Sequence, residues 1–473
     1  MQTMRLLRLT MPGLALAAFL GLPIGTASAA DTKEIDPLNV KSAVQPDISL
    51  ASCTVAYNTQ KTYALADLIN LGLCNNNQTR AAWAGFLAQR SRLGSQRGSY
   101  LPTITAEGGY DRTIGRSDAS QYDGSSGLGS AGISLDYLLY DFGQRDAQVE
   151  IVKQNLVQAN YQNSLTIQSV LYGIVSAYYD YFAAQALLDA AKESEESSRV
   201  SLEAASLREK VGRAPVVERL QADAAYSQAK LARVQAESNR EKAKGQLMQV
   251  LGLRPTDTIR VDIPRDEKIV DRKYIKSTEQ ILAYAEKQHP DVLSADAGVK
   301  SAQASLEAER SKRLPSIHAT ADAGTDRFAS GNGIERDTAG VGVRVAFPLF
   351  TGFSRTYDIQ TARHNVEQAQ AQLGQARDRV RLDVWNAYQD FNTASQNIST
   401  TEALYASAGE AEKAALARYK SGKGSLIDLL NAQVQSASAR QQRVQAKYDW
   451  YVTKANLLRA AGDIRTAQFE DVE

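Results

Sequence analysis

The sequence predicts a mostly α chain with a four-stranded antiparallel β section, built as two tandem structural repeats. Three observations predict it. The chain has 473 residues but only 11 prolines, with none between Pro102 and Pro215 and none after Pro348. Two proline-free stretches of more than 100 residues, rich in Ala, Gln, Arg and Glu, suit very long helices better than a compact α/β body. Residues 138–252 align without a gap onto residues 348–462 at a constant offset of 210. Ahead of each aligned block the hydrophobic period switches from helical to two.

The repeat is carried by matched residues. Leu139 matches Leu349, Arg145 matches Arg355, and Ala177-Tyr178 with Asp180 match Ala387-Tyr388 with Asp390. Gly212 matches Gly422, Leu220-Gln221-Ala222 matches Leu430-Asn431-Ala432, and Gly252 matches Gly462. Upstream the register slips by three, so that Leu101-Pro102 pairs with Leu314-Pro315.

The chain opens with Arg5 and Arg8, an apolar run from Leu9 to Ile24 and the small-residue sequence Thr26-Ala27-Ser28-Ala29-Ala30. That order is a secretory signal, placed at 1–29 with cleavage after Ala29 or Ala30. An uncleaved anchor is disfavoured because the run is short and contains Pro12 and Pro23. No cysteine sits at the cleavage site, so a lipid anchor there is not indicated. No other run approaches 18 apolar residues, so a membrane-spanning part must be made of strands. An arm at 30–61 follows. Cys53 and Cys74 form an even pair in an exported chain, which reads as a disulfide or, alternatively, as two buried free thiols.

Each repeat, 62–262 and 263–473, then reads in one order. A helix over 62–99, broken near Asn75 to Asn77, corresponds to a helix over 277–313. Hairpins follow at 103–140 and 316–349. Ile104, Ala106, Gly108 and Tyr110 alternate with Thr105, Glu107, Gly109 and Asp111, facing Ile133, Leu135, Tyr137 and Leu139. Val341, Val343, Val345, Phe347 and Leu349 alternate with Gly342, Arg344, Ala346 and Pro348, facing Ile317, Ala319, Ala321 and Ala323. Four such segments of about ten residues carry the pattern of outer-membrane strands, with two half-buried hairpins of a soluble domain as the other reading. Four strands cannot close a bilayer-spanning barrel, so the membrane reading requires an oligomer.

After each hairpin the helical period returns. Ile359, Ala362, Val366, Ala369, Leu373, Ala376, Val380, Val384, Ala387, Phe391 and Ala394 fall at threes and fours, with coiled-coil-like spacing. The first copy gives Val149, Val152, Leu156, Ala159, Val170, Ile174, Ala177, Tyr181 and Ala184, with polar Asn163 and Thr166 interrupting. From Gly143 to Glu209 the helix would run roughly 100 Å. Tips are expected at 210–216 and 420–426, where glycine ends one helix and an acid, Glu218 or Asp428, opens the next.

The balance of 54 basic and 53 acidic residues gives no electrostatic reason to expect nucleic acid. Without the signal, 52 basic residues face 53 acidic ones. Three dispersed histidines and two cysteines supply no metal centre, no cofactor is indicated, and no nucleophile stands with a base as an enzyme would need.

The ordered set resembles the TolC family of outer membrane efflux proteins over nearly all the mature chain, from about Tyr63 to Ile464. The resemblance rests on Leu73-Cys74-Asn75-Asn76-Asn77 and His289-Pro290-Asp291, on the Leu-Pro before each hairpin, and on Leu139-Tyr140-Asp141-Phe142-Gly143 and Leu349-Phe350-Thr351-Gly352 after them. Its most diagnostic element is Arg418-Tyr419-Lys420-Ser421-Gly422-Lys423-Gly424-Ser425-Leu426-Ile427-Asp428-Leu429-Leu430, similar to the family's hairpin tip. The resemblance implies a homotrimer whose subunits share a twelve-stranded barrel in outer-membrane lipid and whose helices form a long α-helical coiled-coil barrel in the periplasm. Its far end would open when a periplasmic adaptor and an inner-membrane transporter engage it, in a tripartite efflux pump or type I secretion system. The segment from Leu73 to Arg80 is similar to members serving type I protein secretion.

By position the resemblance assigns the gate to Tyr419, Asp428, Glu218 and Asn431. Adaptor contacts fall on Val211, Gly212, Arg213 and Ala214 in one tip and on Ser421, Gly422, Lys423, Gly424 and Ser425 in the other. The sequence departs from the pattern twice: Gly424 stands where the family's gate arginine is found, and Asn431 stands for its second gate aspartate. Lys423 or Arg213 would have to supply the missing cation. A soluble periplasmic coiled-coil adaptor or scaffold is the alternative, which leaves the four amphipathic strands without a lipid-facing role.

Overall fold

The computed structural model describes residues 36–44, 53, 57–115, 124–263, 278–330 and 335–464. The expected signal segment lies outside them. The first described piece is a 3-10 turn, Val40–Ser42. It is followed by β1 (Thr62–Tyr63), α1 (Leu65–Asn75), α2 (Asn77–Arg97), β2 (Thr103–Gly115) and β3 (Gly124–Tyr140). Then come α3 (Gln144–Lys210), α4 (Val216–Val250) and β4 (Arg260–Val261). The second repeat comprises α5 (Thr278–Gln288), α6 (Pro290–Ser311), β5 (Ser316–Ser330), β6 (Arg336–Ala346), α7 (Ser354–Lys420) and α8 (Leu426–Ala460).

The offset of 210 holds to the residue in the helices: both ends of α3 and α4 map onto those of α7 and α8. The long helices have 67 residues each, about 100 Å at the α-helical rise. β1 pairs in parallel with β4, joining the start of the first repeat to its end. Cys53 and Cys74 are bonded to each other, tying the N-terminal arm to α1. Val40 is buried with Phe86, Leu93 and Leu156, so the arm also covers an apolar strip of α2 and α3.

The largest core lies where α1, the middle of α3 and the end of α4 meet, around Leu68, Ile69, Leu71, Ile174 and Leu247. Its counterpart joins α5, α6, α7 and α8 through Ala285, Val292, Val384, Phe391 and Trp450. The seven stripe positions from Ala362 to Ala394 that are buried, including Val380 and Ala387, follow the three-four spacing. Asn163, expected as an interruption, is 1% exposed inside that packing.

The four-stranded sheet has the order β2-β3-β5-β6, antiparallel throughout. Its register stacks Ile104, Leu135, Ala321 and Val341 in one row across all four strands. The adjacent row is Thr105, Ser134, Asp322 and Gly340, and side chains alternate faces along a strand, so one face of the sheet is apolar and the other polar. Val341 is 90% exposed and Val343 70% in the single chain.

Three expectations are corrected. The helix over 277–313 is two helices, because His289 caps a new N-terminus with Pro290, which has no N–H to continue the ladder, at its first position. The strand expected to reach Leu349 stops at Ala346, two residues before Pro348. The strands have 13, 17, 15 and 11 residues rather than about ten, since pairing runs on through the Gly- and Ser-rich stretches as far as Gly115 and Gly124.

Two consecutive residues in the left-handed region turn each hairpin into its long helix. They are Phe142 and Gly143 in one repeat and Gly352 and Phe353 in the other. An aromatic residue rarely takes this conformation, so the surroundings must hold it. In the first repeat Arg145 does so by donating to the carbonyls of Leu138 (2.7 Å) and Leu139 (3.3 Å) while pairing with Asp141 at 3.2 Å.

Candidate gate at the helical tips

Both tips close in the same way. After α3, Gly212 takes φ 70° and the amide of Arg213 returns to the Arg208 carbonyl at 2.8 Å. After α7, Gly422 takes φ 79° and the amide of Lys423 returns to the Arg418 carbonyl at 2.9 Å. These left-handed glycines satisfy carbonyls that the helix end leaves free. The new helices start differently: Ser425 caps α8 by accepting from the Asp428 amide at 3.1 Å, whereas Pro215 precedes α4 without a side-chain cap.

Tyr419, at the end of α7, is fully buried. Its hydroxyl donates to Glu218 Oε2 of α4 at 3.0 Å. The Arg208 guanidinium of α3 lies 4.5 Å above its ring and donates to its backbone carbonyl at 3.0 Å. One side chain therefore ties the α7/α8 hairpin to both helices of the α3/α4 hairpin. Burial, reinforced by the Glu218 carboxylate, pushes the Tyr419 hydroxyl up to about 12, so it stays a donor at neutral pH. Ala205, Ala222, Leu426 and Leu429 pack behind the latch as an apolar layer. Burying each of those leucines contributes roughly 1.5–3 kcal/mol.

Of the four expected gate residues, the structure brings Tyr419 and Glu218 together. Asp428 and Asn431 are exposed on α8, and among the described residues no hydrogen bond or ion pair joins either of them to that pair. Lys423 and Arg213 are exposed as well, and the cation at the latch is Arg208, which the sequence reading missed. The repeat held a signal for it, because Arg208 aligns with Arg418, the neighbour of Tyr419. Gly424 fits a close approach: a Cβ there would stand 3.1 Å from Arg418 Cβ and 3.3 Å from the Tyr419 amide nitrogen.

The remaining tip residues, Val211, Gly212, Ala214, Ser421 and Ser425, form the turns themselves. Val211 joins Leu207, Val216, Val217 and Leu220 as exposed apolar groups at the first tip. No group of His, Cys, Asp and Glu among the described residues could hold a metal ion.

Comparison with known proteins agrees with this architecture. A family profile described as Outer membrane efflux protein matches residues 68–253 and 281–463, one segment in each repeat. Protein CyaE of Bordetella pertussis is 30% identical over 466 residues, covering 95% of this chain and 94% of its own. Outer membrane efflux protein BepC of Brucella suis is 26% identical over 395 residues, covering 83% and 84%. Among solved structures, CusC, described by its folding and transmembrane channel formation, superposes with a TM-score of 0.75 at 19% identity, over 89% of this chain and 97% of that one. The chain belongs to the outer membrane efflux protein family, whose members are TolC-type channels of the outer membrane with a periplasmic tunnel and not enzymes.

Proposed function

We propose that this chain is the outer-membrane exit duct of a tripartite efflux pump or type I secretion system, conducting substrate passively and gated at its helical tips. It works as a homotrimer. β2 and β6 are the sheet's edges, and lipid tolerates no open edge, so the β6 of one copy meets the β2 of the next to close twelve strands from three chains. The apolar rows then face outer-membrane lipid and the polar rows the lumen.

The observation that carries the gating is the bond from Tyr419 to Glu218 with Arg208 stacked on the same ring. It joins hairpins that have to separate for the tunnel end to widen. Engagement of a periplasmic adaptor with the turns at 210–216 and 420–426, driven by an inner-membrane transporter, breaks it. The exposed Val211, Val216 and Val217 give the first tip an apolar surface for that contact. In planar bilayers, the purified trimer carrying Tyr419→Phe with Glu218→Gln should conduct more per channel than the wild type. Unchanged conductance would overturn the tip gate, and recovery of the wild type in the soluble periplasm would overturn the duct.

A further inference from the structure

Behind the apolar layer at the tip, the contact between α3 and α8 becomes polar. Gln433 Nε2 donates to Ser197 Oγ (2.8 Å), the Ser197 carbonyl (3.1 Å) and Ser201 Oγ (2.8 Å). Two turns further along α8, Arg440 Nε stands 3.2 Å from Glu193 Oε2 and its Nη1 donates to Ser194 Oγ at 3.2 Å. Glu412 of α7 lies 4.0 Å from the Arg440 guanidinium and accepts from the Ser197 hydroxyl.

The set is incomplete. Gln433 is 8% exposed and Ser436 fully buried, yet Gln433 Oε1 and Ser436 Oγ have no hydrogen-bond partner. Arg440 Nε is near its acid but not aligned for a hydrogen bond. Gln433 and Arg440 also line a cavity of about 350 Å3, whose α4 wall is Ala225, Gln228, Ala229 and Ala232. Buried polar atoms without partners, beside open volume, are a contact that is not held in a single deep minimum.

The sequence of α3 repeats the partners one turn nearer the strands. Ser194 and Ser198 have the same i, i+4 spacing as Ser197 and Ser201, and Asp189 precedes Glu193 by four. A shift of α8 by about 4.5–6 Å toward the strands, three to four residues of α3, would move Gln433 onto Ser194 and Ser198 and bring the long Arg440 side chain to Asp189. The same three-residue shift in the opposite direction would put Gln433 against Val200 and Ala204, which offer it no side-chain partner.

We propose that Gln433 and Arg440 form a second latch, which sets the register of α8 on α3, and that opening advances α8 by one turn along this ladder. They are positioning residues for the gate. The proposal rests on the tip-gate reading above: the tip bond holds the closed register, and the ladder defines the open one.

The test uses cysteine pairs in the full-length trimer, where the chain's own two cysteines are already bonded to each other. Ser201→Cys with Gln433→Cys reports the closed register, and Ser194→Cys with Gln433→Cys the advanced one. With the tip intact, the Ser201 pair should crosslink and the Ser194 pair should not. Adding Tyr419→Phe and Glu218→Gln should shift the ratio about tenfold toward the Ser194 pair, the change expected from losing one hydrogen bond to a charged group. The oxidised Ser201 pair should hold conductance at the wild-type level in that background and release it on reduction, an effect absent without the added cysteines. If tip variants raise conductance while the Ser194 pair stays unlinked and the Ser201 bond fails to cap conductance, the ladder is overturned and the tip gate stands. If tip variants leave both crosslinking and conductance unchanged, the gate reading fails and the ladder with it.

Discussion

The guanidinium of Arg208 lies 4.5 Å above the ring of Tyr419 and donates to that residue's own carbonyl, so one cation holds both the side chain and the backbone at the end of α7. Two separable contributions follow. Tyr419→Phe keeps the ring under Arg208 and loses only the bond to Glu218, at a cost of roughly 1.5–3 kcal/mol for a hydrogen bond to a charged group. Arg208→Ala keeps that bond and loses the stacked cation and the carbonyl bond, together about 1–3 kcal/mol. Each should raise single-channel conductance, and a double-mutant cycle should show coupling because both act through Tyr419. Strict additivity would mean that the two contacts do not form one latch.

The latch has a pH limit of known sign. The Tyr419 hydroxyl is raised from an ordinary value of 10.0 to about 12, so the folded state holds its proton more tightly than the unfolded chain. The stabilisation is complete below pH 10 and is lost as pH rises toward 12. Wild-type conductance should rise over that window, while Tyr419→Phe should lack this component. A rise of the same size in both would place the titrating group elsewhere.

Asp428 sits apart from the latch, exposed in the first turn of α8. Three copies around a trimer axis would form a ring of carboxylates that attracts cations. Asp428→Ala should therefore weaken block by multivalent cations while leaving the bond from Tyr419 to Glu218 in place. Tyr419→Phe should widen the channel and retain the block. If Asp428→Ala leaves the block unchanged, the carboxylate does not line the conducting path.

Residues whose roles repeat at the offset of 210 were legible in the sequence, because the duplication fixes helix ends, turn glycines and hairpin positions together. Both 67-residue helices and both tips fall where that alignment puts them. Arg208 was legible only as the repeat mate of Arg418; its place on Tyr419 depends on a crossing between α3 and α7 that no periodicity encodes. Asn163 misled for a related reason: a polar side chain on an otherwise apolar stripe reads as an interruption, yet it is buried among neighbouring helices. The second break, at His289, was visible as a family motif, but helical periodicity on either side of it concealed that the helix ends there.

Gly252 and Gly462 are repeat mates that close matching joints. Gly252 has φ 74°, and a Cβ on it would stand 2.6 Å from the Asn75 carbonyl oxygen; Gly462 has φ 76°, and its Cβ would stand 2.9 Å from His289 Cδ2. A side chain at Gly252 meets backbone, which cannot swing aside. Gly252→Ala should lower stability by about 1–3 kcal/mol, as expected where native φ is positive and space is closed. The effect is read as a lower melting temperature by circular dichroism. Gly94→Ala, with its nearest neighbour at 3.7 Å, is the control that should change little.

His289 makes the second joint sensitive to acid in a way the first is not. Its Nδ1 accepts from the Asp291 amide at 3.2 Å, whereas in the first repeat Asn76 Oδ1 accepts from the Gln78 amide at 2.7 Å. Burial holds the imidazole below its ordinary value of 6.5; Arg459 adds to the effect, while Asp291 and Asp383 oppose it. The neutral ring is the folded form, so its stabilisation is complete above pH 6.5 and is lost as pH falls through the depressed value. Protonation also converts Nδ1 from acceptor to donor and removes the cap of α6, a loss worth about 1 kcal/mol. His289→Asn, which copies the first joint, should keep the cap at neutral pH and flatten the decline in melting temperature between pH 6.5 and 5. An unchanged decline in that variant would assign the acid sensitivity to other groups.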